Sequence, residues 1–168
     1  MRNKLLLSFL LLIIFIIVMR WQGQSLINTV SPHGIIDLEF AKTSEKLSAL
    51  KTGWIKKDVT INIYLDFFFI ISYTFFFILS CLYVKKKLGK YAIASVFITI
   101  AVVAGVLDVL ENCLMLFAIN HSNNAEALKF TYYFALLKFI LIGILIIYLV
   151  LSITFLKLNK CKSFGKNV

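Results

Sequence analysis

Four long, mostly apolar runs constrain this chain more than any other feature. They cover residues 5–19, 61–84, 91–119 and 130–156. Runs of about twenty apolar residues match the hydrocarbon thickness of a bilayer when they are helical. Alternating strands of a membrane barrel would look different. The chain is 61% hydrophobic with a mean hydropathy of +0.92, against about half apolar in a soluble domain. The expectation is an all-α integral membrane four-helix bundle forming one domain over residues 1–168, with neither a repeat nor a linker dividing it.

The net charge of +10 does not point to nucleic acid. Basic residues gather at the edges of the apolar runs, where they orient spans and meet anionic lipid. The 85–90 loop and the C-terminal tail carry four Lys/Arg each and the N-terminus two, whereas the 120–129 loop carries only Lys129. This asymmetry predicts cytoplasmic termini and a cytoplasmic 85–90 loop; the expected location is the cell (plasma) membrane. The first run also fits a signal peptide, but Val18-Met19-Arg20-Trp21-Gln22 lacks small residues for cleavage, so a retained span is expected. Cys81, Cys113 and Cys161 fit neither a disulfide framework nor a zinc site. Cys161, in a basic tail, would suit lipidation in a eukaryotic host. Asn120-His121-Ser122 would suit glycosylation in a eukaryotic secretory pathway.

Between the first two spans, Ser31-Pro32 reads as a helix start. Ile36, Phe40, Thr43, Leu47, Leu50 and Trp54 then recur at helical spacing. An amphipathic extracytoplasmic segment of one or two helices over 31–54 is expected, lying on the membrane or capping the bundle. Asn124 reads as the N-cap of the last helix.

The apolar runs contain charges that lipid does not tolerate. Asp108, Glu111, Asn112 and Met115 share one face of a helix, and Ala101, Ala104 and Gly105 continue that face as small residues suited to close packing. Asn62, Asp66, Tyr73 and Ser80 form a polar line on the second span. Lys138, with Thr131, Ala135 and Ser152 near its face, occupies the fourth. At ~1.5 Å per residue, Asp66 lies roughly 8 Å, Glu111 about 12 Å, Asp108 about 16 Å and Lys138 about 12 Å from the outer ends of their spans. Charged residues at such depth face a partner, cavity or ligand.

The expected site is Asp66, Tyr73, Asp108, Glu111, Asn112 and Lys138, opening outward, with His33, Asp37 and Glu39 at its mouth. Three acids against one lysine leave two excess negatives, to be balanced by protons or a cationic ligand. Three classes fit: a unit that binds or transports a small cation or an amine- or lipid-like ligand, an intramembrane enzyme using acid–base chemistry on an apolar substrate, or an accessory subunit. No metal site or cofactor is expected. The expected partners are membrane lipids, a second copy or another membrane protein.

The layout resembles the four-helix EXPERA membrane proteins, which include sterol isomerases and lipid-binding receptors. The shared points are four spans, cytoplasmic termini, a longer first outer loop with Trp54, and acids in spans two and three. The resemblance is topological. It implies a lipid-like ligand and assigns no catalytic residue.

Overall fold

In the computed structural model, residues 1–89, 91–121 and 125–164 are described, with side chains at 157 and 159–164 excepted. The elements are α1 (Arg2–Gln22), a 3₁₀ turn (Gly23–Leu26), α2 (Ile36–Glu39), α3 (Ser44–Gly53), α4 (Lys56–Leu88), α5 (Tyr91–Asn120) and α6 (Ala125–Phe164). Four helices are long and apolar enough to cross a membrane. All-α architecture, four spans and short helices between the first two match the expectation.

The long helices overrun the apolar windows. Arg2 and Lys4 belong to α1, and Lys56 and Lys57 open α4. Lysine and arginine are good helix formers, so a hydropathy boundary is no reason for a helix to stop. α4 ends at Gly89, whose φ of 68° is left-handed and whose N–H donates to the Lys85 carbonyl. A glycine takes that conformation without steric penalty. The N-cap expected at Asn124 lies outside the described residues, as does the C-terminal end of the tail.

α5 packs along both α4 and α6, and α1 packs along α4. The small-residue face of α5 turns inward as expected: Ala101, Ala104, Gly105, Asp108, Glu111 and Asn112 are all buried. So are Thr131, Ala135, Lys138 and Ser152 on α6. α1 is peripheral, and Ser8 is its buried residue. It meets α4 through Phe15 stacked on Phe68 and Phe9 tilted against Phe76. At its end, the Gln22 amide donates to the Asp58 carbonyl and accepts from Asn62. Large apolar side chains such as Leu7, Ile71 and Ile147 remain exposed around the bundle, as the hydrocarbon requires.

The segment between α1 and α4 corrects the sequence reading in one place. Ser31 does not cap a helix. Its hydroxyl donates to the Leu26 carbonyl and accepts from Trp54 Nε1, and residues 32–35 form turns before α2 begins. The apolar stripe is divided between two helices, α2 and α3. Phe40 leaves helical geometry, and Thr43 restarts it by accepting from the Lys46 N–H at 3.3 Å. The polar interruption in the stripe is therefore an N-cap, a position that threonine favours. The break rotates the two halves, so Ile36 is exposed while Leu38, Leu47 and Leu50 are buried.

Together α2 and α3 form a cap. Leu26, Leu38, Ala41, Leu47, Leu50 and Trp54 share one core with Val59 and Ile63 of α4, Met115, Ala118 and Ile119 of α5, and Leu128 of α6. Asn28 fastens the loop, accepting from the Val30 and Ser31 N–H groups and donating to the Gly53 carbonyl.

Candidate functional site

Beneath this cap, the buried charges meet at Lys138. Its ammonium lies 2.6 Å from Asp108 Oδ1, 2.8 Å from Glu111 Oε2 and 3.6 Å from Glu39 Oε2. All four side chains are at most 10% exposed. Lys138 is about 20 Å along α6 from its start, and Asp108 about 18 Å from the end of α5. The two antiparallel helices therefore bring them to one level.

Each position follows from its element. Asp108 and Glu111 are one turn apart on the inward face of α5, so one ammonium from α6 spans both. α4 supplies Tyr73, whose hydroxyl donates to Asp108 Oδ2 at 2.7 Å. The Tyr73 ring is held edge-on between Phe69 and Phe77. Asp108 thus receives a donor on each oxygen. One turn away, the Asn112 amide donates to Asp66 Oδ2 at 2.7 Å, which ties α5 to α4 a second time.

Glu111 is less well served. It is completely buried and paired with Lys138 by charge, yet neither of its oxygens has hydrogen-bond geometry to a partner among the described residues. Asn112 Oδ1 is likewise buried without a hydrogen bond. Groups of this kind are normally satisfied in native interiors.

The structure unites the six residues expected at the site and divides the three expected at its mouth. Glu39 joins the network itself, because the final turn of α2 dips toward α6. Phe40 follows it, edge-on to Tyr132 and stacked with Phe139. Burial raises the pKa of Glu39, Lys138 opposes that shift, and the Asp108 carboxylate adds to it. His33 and Asp37 stay above, paired with each other at 3.5 Å, with Lys46 3.9 Å from Asp37. His33 is 71% exposed. The one sequence signal for the deeper role of Glu39 is its place between Leu38 and Phe40.

The expected outward opening is roofed by α2, which contacts α5 and α6. Charge balance is more lopsided than three acids against one base. Glu39, Asp66, Asp108 and Glu111 are half of the eight acids in the chain; three of them lie within 3.6 Å of Lys138, and Asp66 is held by Asn112. Fully ionised, four negatives and one positive leave three uncompensated charges, which a buried site tolerates poorly. Protons or an added cation must make up the difference. Among the described residues, no group of three or more His, Cys, Asp or Glu side chains is arranged to hold a metal ion. Compared with family models, curated proteins and solved structures, the chain matches none.

Proposed function

We propose that the protein binds a small cation, or the ammonium of an amine- or lipid-like ligand, at the Glu39–Asp108–Glu111 cluster. The excess of carboxylates over the single lysine carries this reading. Glu111 sharpens it, since this completely buried carboxylate has to share the one ammonium, 2.8 Å away, with Asp108 and Glu39. Lys138 is the built-in counter-charge, holding the carboxylates together until a ligand shares them. The ligand enters from the cap side by loosening α2. That side is extracytoplasmic and both termini are cytoplasmic, as the Lys/Arg distribution favours, with the cell membrane as the proposed location. Transport through only four helices needs a second copy or another membrane protein.

The test is thermal unfolding of the purified protein in detergent with ammonium, methylammonium or sodium chloride, against choline chloride at equal ionic strength. Wild type should be stabilised by one of the three over choline, and Glu111→Gln should lose that increment while keeping its fold and oligomeric state. If none of the three exceeds choline for wild type, the proposal fails.

A structural role is the second reading, because the same contacts join α2, α4, α5 and α6. In that case Glu111→Gln fails to assemble with or without salt. Interhelical polar bonds in membranes average only about 0.6 kcal/mol, a small return for burying five charged groups. An enzyme would instead turn over a lipid in detergent without any gradient.

A further inference from the structure

A cavity lies away from the carboxylates, where α3, α4 and α5 end together. It has a volume of about 210 Å³ and is lined by Leu47, Lys51, Trp54, Lys56, Val59 and Ile119. Lys56 is the first residue of α4 and Ile119 is the last but one of α5. The cavity therefore sits where the spans leave the hydrocarbon. Leu47, Trp54, Val59 and Ile119 are buried members of the cap core. The Trp54 indole N–H is already committed to the Leu26 carbonyl at 2.7 Å and to Ser31 Oγ at 2.8 Å. It offers this cavity an apolar ring rather than a donor.

The two remaining lining residues, Lys51 and Lys56, are both basic. Neither Lys51 nor Lys56 has a carboxylate partner among the described residues. Burial and then the facing Lys56 charge lower the pKa of Lys51, so the two cations sit close enough to repel. Two unpaired cations above an apolar cavity complement an anion carried on an apolar stem. A free phosphate would satisfy the lysines and leave the apolar wall unused.

We propose that this cavity binds an anionic lipid, with its phosphate between Lys51 and Lys56 and its apolar part against Trp54, Val59 and Ile119. The site is independent of the carboxylate cluster and has the opposite charge preference.

Trp54 is a reporter within the cavity. The full-length protein in a Trp21→Phe background keeps it as the sole tryptophan, since the chain has two. Phosphatidylglycerol with brominated chains, titrated into phosphatidylcholine micelles, should quench Trp54 saturably, and brominated phosphatidylcholine should do so far more weakly. Lys51→Gln/Lys56→Gln should weaken the apparent affinity by about thirty-fold, the combined attraction of two basic residues for anionic lipid. Lys56→Glu alone should act in the same direction. Substituting glutamine for Lys85, Lys86 and Lys87 at the opposite end of α4 should leave the titration unchanged. The proposal is overturned if the two brominated lipids quench alike, or if the double variant keeps wild-type affinity. Displacement of the lipid by millimolar inorganic phosphate would also overturn it, identifying a free-anion site instead.

Discussion

Lys138 is the residue whose loss matters most, because the charges around it are unequal. Removing one carboxylate from the cluster leaves the ammonium two others. Removing the ammonium leaves Glu39, Asp108 and Glu111 buried together without a cation. Breaking a buried pair in this way typically costs about 3–5 kcal/mol. Lys138→Met should therefore destabilise the protein by about that amount, measured by denaturant unfolding in detergent. Adding Glu111→Gln to that variant should recover part of the loss, since one stranded charge becomes neutral. Equal stability of Lys138→Met and wild type would mean that the carboxylates are already protonated. Tyr73→Phe is a milder change, costing about 1 kcal/mol for one lost hydrogen bond to Asp108.

Among the elements, the α4–α5 crossing and the α2 cap set the geometry of the site. At the crossing, a Cβ built on Gly105 would lie 2.5 Å from Thr74 Oγ1. Rotating the threonine only exchanges its hydroxyl for its methyl, because β-branching leaves few rotamers in a helix. Gly105→Ala should separate the helices and destabilise the fold by about 1–3 kcal/mol, and a Thr74→Ala partner should restore most of it. At the cap, Glu39 gives a pH signature. Its pKa in the folded state is raised by burial above the ordinary glutamate value of 4.5, so the folded protein holds this proton more tightly than the unfolded chain. The contribution to stability is full below pH 4.5 and is lost as pH rises through the raised value. Unfolding measured against pH should show a fall over that window in wild type that is shallower in Glu39→Gln. Identical profiles would mean that Glu39 does not titrate against the cluster.

For the whole molecule, the expected orientation can be read with single cysteines in a background lacking Cys81, Cys113 and Cys161. Thr52→Cys on the cap and Lys86→Cys at the opposite end of α4 should react with a membrane-impermeant maleimide from opposite sides. Only Thr52→Cys should be labelled on intact cells. Labelling of Lys86→Cys alone would invert the topology.

Much of this molecule is legible in its sequence, for one physical reason. Hydrocarbon offers backbone and charge no hydrogen bonds, so a span must be long, apolar and helical, and Asp108, Glu111 and Lys138 must turn away from lipid. Spans, fold class, the inward face of α5 and the six residues of the site follow from that rule. The cap does not, because water competes for its polar groups and several foldings satisfy its pattern. Whether Thr43 continues a stripe or caps a helix depends on one local hydrogen bond. Whether Ser31 starts a helix depends on Trp54, which is distant in sequence and claims its hydroxyl. Placing Glu39 against Lys138 needed the packing of α2 onto α6, a long-range contact that no periodicity encodes. By itself the sequence determined that charges from three of the four spans are buried between the helices. Only the tertiary structure decided that Asp108 and Glu111 converge on one lysine, and that a third carboxylate, Glu39 from outside the spans, closes over it.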